Sequence, residues 1–105
     1  MVNSLEQKKG EDILLLDLRG IASFTDYFVI CTGTSDRMLD ALVEAVLKDV
    51  RKQHHKKGQP EGTSMEGWVV IDYGNVVVHI FSPDQRAYYD LESLWHEGKV
   101  LLHLQ

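Results

Sequence analysis

The dipeptide Gly74-Asn75 constrains this chain more than any other feature. It separates two apolar runs, Trp68-Val69-Val70-Ile71-Asp72-Tyr73 and Val76-Val77-Val78-His79-Ile80-Phe81. A pair of this kind accepts the positive φ that a two-residue hairpin demands, so the two runs read as antiparallel strands. The turn then sets the register: Tyr73 opposes Val76, Asp72 opposes Val77, Ile71 opposes Val78, Val70 opposes His79, Val69 opposes Ile80 and Trp68 opposes Phe81. Strand alternation sorts these pairs onto two faces. Val69, Ile71, Tyr73, Val76, Val78 and Ile80 form an apolar face. Trp68, Val70, Asp72, Val77, His79 and Phe81 form a mixed one, with large aromatics beside a carboxylate and an imidazole.

Two more strands precede the hairpin. Asp12–Leu18 and Tyr27–Thr32 are almost continuously apolar, the pattern of strands covered on both faces. Ser35 is placed to cap a helix, with Asp36 in its first turn. Met38, Leu39, Leu42, Val43, Val46, Leu47 and Val50 follow at helical spacing, and Gly58 is the expected stop. The connection from the second strand to Trp68 is long and helical, as a parallel crossover requires. Gln59–Gly67 reads as a polar loop. Ser82-Pro83-Asp84-Gln85 opens another helix through a capping box, with a stripe of Ala87, Tyr88, Leu91, Leu94 and Trp95 ending at Gly98. Val2–Lys9 reads as a short helical lead-in and Val100–Leu104 as a short edge strand. The expected fold class is α/β (α+β): a mixed sheet of four to five strands with flanking helices.

At 105 residues the chain is sized for one domain, covering 1–105: a lead-in over 1–9, a core over 10–95 and a tail over 96–105. No apolar run reaches the ~20 residues of a membrane-spanning helix. The formal charge is −5, unevenly spread. Lys48, Arg51, Lys52, Lys56 and Lys57 with Asp49 carry a local +4, leaving −9 on the rest. An acidic body disfavours a broad nucleic-acid face and suits a basic partner. The basic cluster has a structural reading as a solvated helix end and a functional one as a direct RNA contact. A single cysteine, Cys31, rules out an internal disulfide and fits a reducing compartment. The N-terminus lacks secretory and transit features, which predicts a cytoplasmic protein.

Signals of enzymatic chemistry are weak. Gly33-Thr34-Ser35 before a helix is comparable with the opening of a nucleotidyltransferase, whose metal ions need paired carboxylates. The following strand offers Asp72 alone, between Val70 and Gly74. Adjacent His54 and His55 lack the i, i+4 spacing of zinc ligands. His79 lies diagonal to Asp72, either as a base with its orienter or as a hydrogen-bonded sheet pair. Cys31 sits among Phe28, Val29 and Ile30, an inert core setting. No catalytic, metal or cofactor site is expected, nor a small-molecule substrate. The mixed hairpin face is either covered core or a protein-binding patch with aromatic anchors, with Arg86, Tyr89 and Asp90 at its rim.

Three strings carry a resemblance: Asp26-Tyr27-Phe28-Val29-Ile30-Cys31-Thr32-Gly33-Thr34-Ser35, the segment Glu66 to Phe81 through Gly74-Asn75, and Arg86-Ala87-Tyr88-Tyr89-Asp90-Leu91-Glu92-Ser93-Leu94-Trp95. In this order and spacing they resemble the signatures of the ribosomal silencing factor family, RsfS or Iojap-like, over about Gly10 to Trp95. The resemblance implies a domain of nucleotidyltransferase-like topology without the catalytic carboxylates. It implies binding to the large ribosomal subunit through ribosomal protein L-fourteen, which sterically blocks the small subunit and represses translation. It also implies a bacterial member, since no transit peptide is present. Two departures stand out: only nine residues precede Gly10, fewer than in many members, and Asn75 replaces the usual Asp of the turn. Some members form homodimers, and Val100–Leu104 offers a strand for that. The hairpin face, the helix after it and the signatures together place the partner-binding patch at Trp68, Asp72, Tyr73, His79, Arg86, Tyr88, Tyr89, Leu91, Leu94 and Trp95. Tyr73, Tyr88, Leu91, Leu94 and Trp95 fit the core as well.

Overall fold

In a computed structural model describing residues 1–105, the Gly74-Asn75 turn closes the hairpin in the expected register. β4 (Trp68–Asp72) and β5 (Val76–Phe81) pair from Trp68 opposite Phe81 to Asp72 opposite Val77. Gly74 alone of the two turn residues has positive φ, +86°, the pattern of a turn with glycine at its first central position. Its N–H donates to Asp72 Oδ1 at 2.8 Å, and the Tyr73 N–H donates to the Val76 carbonyl at 2.9 Å.

The other elements are α1 (Val2–Gln7), β1 (Glu11–Asp17), β2 (Tyr27–Thr32), α2 (Asp36–His54), β3 (Pro60–Thr63), α3 (Pro83–Tyr89), α4 (Leu91–Leu94) and β6 (Lys99–Leu104). The sheet has six strands in the order β3-β4-β5-β2-β1-β6, one more than the upper expectation. The unforeseen strand is β3, in the segment read as a polar loop. It is exposed throughout and pairs with β4 only through backbone, so it needs no apolar pattern. The parallel partner of β2 is β5, not the strand at Trp68. β4 instead lies outside β5, because the tight turn forces the two to be neighbours. β6 pairs antiparallel with β1 of its own chain, and its outer edge is free.

The apolar hairpin face is core. Val69, Ile71, Val78 and Ile80 pack with Val29 and Cys31 under Leu39, Leu42, Val43, Val46 and Val50 of α2. Burial pushes the Cys31 thiol up to about 12, an inert thiol. Ser35 Oγ accepts from the Met38 N–H at 3.1 Å, as its capping position predicts. α2 ends earlier than expected, with His55 rather than Gly58 in the left-handed conformation (φ 55°). Gly58 instead makes room for a side chain, since a Cβ there would lie 2.6 Å from Tyr73 Oη.

The other face of the sheet carries a second core of Leu14, Leu16, Leu18, Phe28, Ile30, Val77 and Phe81. Its cover is short and broken. The single helix expected from Ser82 towards Gly98 is two, because Asp90 adopts φ 48° and turns the chain between α3 and α4. The capping box is half formed. Ser82 Oγ accepts from the Gln85 N–H at 3.3 Å, while the Ser82 N–H donates to the Gly67 carbonyl at 2.8 Å.

Gly62 holds β3 against β4. Its φ is +88° and a Cβ would lie 2.3 Å from the Trp68 carbonyl oxygen. Backbone cannot yield as a flexible side chain would, so Gly62→Ala is expected to cost about 2 kcal/mol or more. That corresponds to a melting temperature lower by about 10 °C. A thermal melt by circular dichroism checks it.

Candidate docking surface

The short cover of the second face leaves a continuous band of aromatic rings. Trp68 on β4 stacks on Phe81 of β5 at 4.9 Å and meets Tyr89 of α3 at 4.4 Å, and Tyr88 stands edge-on to Tyr89 at 5.1 Å. His79 joins this group to a second one, lying 4.5 Å from Phe28 in an edge-to-face arrangement. Phe28 contacts Trp95 at 6.0 Å, and Trp95 contacts Phe24 at 5.7 Å. Offset and edge-to-face pairs of this kind are each worth roughly 0.5–1.5 kcal/mol beyond burial. Phe81 and Phe28 anchor the band in the core, while Tyr88 (78% exposed), Leu94 (68%), Phe24 (57%) and Tyr89 (46%) open it to solvent.

His79 is buried and fixes the central ring. Its Nδ1 accepts from the Trp68 indole N–H at 3.2 Å, which assigns the neutral ring's proton to Nε2. Nε2 is itself buried without a hydrogen-bond partner. The expected pairing with Asp72 is not made. Asp72 opposes Val77, and its carboxylate turns back to the Gly74 N–H. Burial lowers the His79 pKa to about 4, partly offset by the charge of Asp72. The unfolded chain therefore binds a proton below about pH 6.5 that the folded chain refuses. Stability should be full above pH 6.5 and fall as pH drops towards 4, by roughly 3 kcal/mol in total. Urea midpoints between pH 7.5 and 4.5 check this, and His79→Gln should flatten the dependence.

Two residues assigned to the patch are elsewhere. Arg86 is 7% exposed and works as an internal clasp. Its guanidinium donates to the Asp12 carbonyl at 2.6 Å, to Thr32 Oγ1 at 2.8 Å and to Glu92 Oε2 at 3.3 Å, tying α3 and α4 to β1 and β2. Its place in the turn of α3 that faces the sheet overrides the usual exposure of arginine. Tyr73 packs on the opposite face, against the α2 core, and burial raises its pKa. Asp72 is exposed at the turn end of β4. Leu91 and Trp95 are partly buried against the second core. Trp68, Asp72, His79, Tyr88, Tyr89, Leu91, Leu94 and Trp95 thus share one face of the sheet, with Asp72 at its turn end.

The sequence reading missed Phe24, in the loop after β1, which lacks any periodic pattern to place it. It also missed Glu61 and Glu66, which line a groove of about 230 Å³ with Gly62, Trp68, Val70 and Tyr89. The signal of Glu61 was hidden with β3, and Glu66, in the turn after it, follows no periodic pattern. The basic residues Lys48, Arg51 and Lys52 lie exposed on α2, on the other side of the sheet from the aromatic band. No helix is long and apolar enough to cross a membrane.

The fold and this face together define an α+β domain that presents an aromatic, carboxylate-flanked surface beside a helix-covered core. Residues 1–104 match the family model described as ribosomal silencing factor during starvation. The chain is 40% identical over 100 residues to ribosomal silencing factor RsfS of Halalkalibacterium halodurans, covering 95% of this chain and 86% of that one. It is 43% identical over 99 residues to RsfS of Bacillus subtilis, covering 90% and 80%. A crystal structure of a Chromobacterium violaceum protein superposes with a TM-score of 0.85 at 36% identity, covering 90% of this chain and 79% of that one. The chain belongs to the ribosomal silencing factor family, RsfS.

Proposed function

We propose that this protein binds the large ribosomal subunit through ribosomal protein L-fourteen, prevents the small subunit from joining, and so represses translation in the bacterial cytoplasm. The observation that carries the reading is the aromatic band on the thinly covered sheet face. Trp and Tyr anchors at the centre of such a face are the usual carriers of binding energy. Charge supports it too. Glu61 and Glu66 flank the band while the basic end of α2 lies on the other side, an arrangement of charge that suits a basic protein on this face. The mechanism is occlusion. The factor contributes binding energy at a place the small subunit also needs, and no bond is made or broken. Homodimerisation is a secondary part of the reading, supported by the free outer edge of β6, where Val100 and Leu101 are exposed.

Sedimentation tests the reading. The protein should travel with isolated large subunits and with purified L-fourteen, and be absent from joined ribosomes. Equal recovery on joined ribosomes would contradict occlusion.

A further inference from the structure

We propose that the groove between β3, β4 and α3 receives one arginine side chain of a basic protein segment. This deepens the docking reading and rests on it.

The groove is lined by the aromatic residues Trp68 and Tyr89 and by the acidic residues Glu61 and Glu66. Neither carboxylate has a cationic partner within the chain. The ion pairs are Met1 with Asp49, Arg19 with Asp17, Arg86 with Asp12 and Glu92, and His103 with Asp12. The Glu66 carboxylate is also held in place. Its Oε1 accepts from the Thr63 hydroxyl at 3.0 Å, and the Glu66 N–H donates back to Thr63 Oγ1 at 3.3 Å. One carboxylate is therefore ordered before any ligand arrives, which lowers the entropic cost of pairing.

The ring chemistry narrows the occupant. The indole N–H of Trp68 is already given to His79. Trp68 therefore lines the groove as an aromatic ring with no donor to offer a ligand. A phosphate or carboxylate would find two like charges and no indole N–H. A cation finds both an attractive ring and unpaired carboxylates. Between the two basic side chains, guanidinium fits better: it is planar, stacks on aromatic faces and meets carboxylates through a fork of donors. Gly62 keeps the β3 side of the groove free of a Cβ at the point of closest approach to Trp68.

The test uses hexa-arginine amide and hexa-lysine amide as probes, followed by the backbone and indole N–H resonances of the full chain. Hexa-arginine should shift the Trp68 indole and the Gly62 and Glu66 amides saturably, at least tenfold more tightly than hexa-lysine. The double variant Glu61→Gln with Glu66→Gln should weaken that binding at least tenfold, with its other resonances unmoved. Equal response to both peptides, shifts confined to other faces, or an unweakened double variant would each overturn the proposal. Binding of the same variant to large subunits separates the two ideas. If the variant binds subunits as the parent does while Tyr89→Ala does not, the docking face stands and the arginine groove fails. If the parent fails to bind subunits, the docking reading itself fails, whatever the peptides do.

Discussion

Replacing Trp68 and Tyr89 together by alanine is expected to remove large-subunit binding while leaving the sheet in place. The two rings are neighbours in the aromatic band, with centroids 4.4 Å apart. Alanine at a hot-spot aromatic costs at least ~2 kcal/mol in binding. Two such losses weaken affinity by about a thousandfold. The change in stability should be smaller. Tyr89 is almost half exposed, and Trp68 lies at the margin of the second core, where its main structural partners are Phe81 and His79. Far-ultraviolet circular dichroism reports the fold and co-sedimentation the binding. Tyr89→Ala alone should weaken binding at least tenfold with almost no change in melting temperature. Affinities within threefold of the parent for both variants would contradict the placement of the docking surface.

Phe81→Ala should have the largest effect on folding. Phe81 is fully buried at the end of β5, stacks under Trp68, and its carbonyl accepts from the Gly33 N–H at 2.9 Å. The cavity and lost transfer energy together cost about 3–5 kcal/mol. A domain of this size is stable by only about 5–15 kcal/mol, so much of its margin disappears. The melting temperature should fall by about 20 °C. A fall of less than 5 °C would mean that α3 and α4 close over the vacated space. Subunit binding should weaken through loss of folded protein and through the lost support under Trp68, whereas Tyr89→Ala weakens it with the fold intact.

The contrast between these two positions reflects how the sequence encodes the molecule. The hairpin register is legible because a two-residue turn leaves one pairing and alternation does the rest. The α2 stripe is legible for the same kind of reason, a long period with a clear cap. What escapes the sequence has no period. β3 is held by backbone pairing alone, so exposed Pro60, Glu61, Gly62 and Thr63 look like loop. The break at Asp90 depends on one residue adopting positive φ, which aspartate tolerates without requiring it. Arg86 shows the limit of reading exposure from residue type. Its guanidinium is buried because Asp12, Thr32 and Glu92, spread along the chain, converge on it. Alternation sorts Tyr73 correctly to the apolar hairpin face, yet the signature around it draws it into the expected patch. The likeness to RsfS conveys the family, whereas geometry is needed to separate anchors from supports.

Occlusion is tested most directly by mixing purified large and small subunits at a magnesium concentration that favours joining and following light scattering with and without the protein. Scattering should stay at the level of separate subunits once the protein saturates the large subunit, and the Trp68→Ala, Tyr89→Ala variant should restore the rise. A normal rise in scattering while the protein remains bound to the large subunit would contradict occlusion.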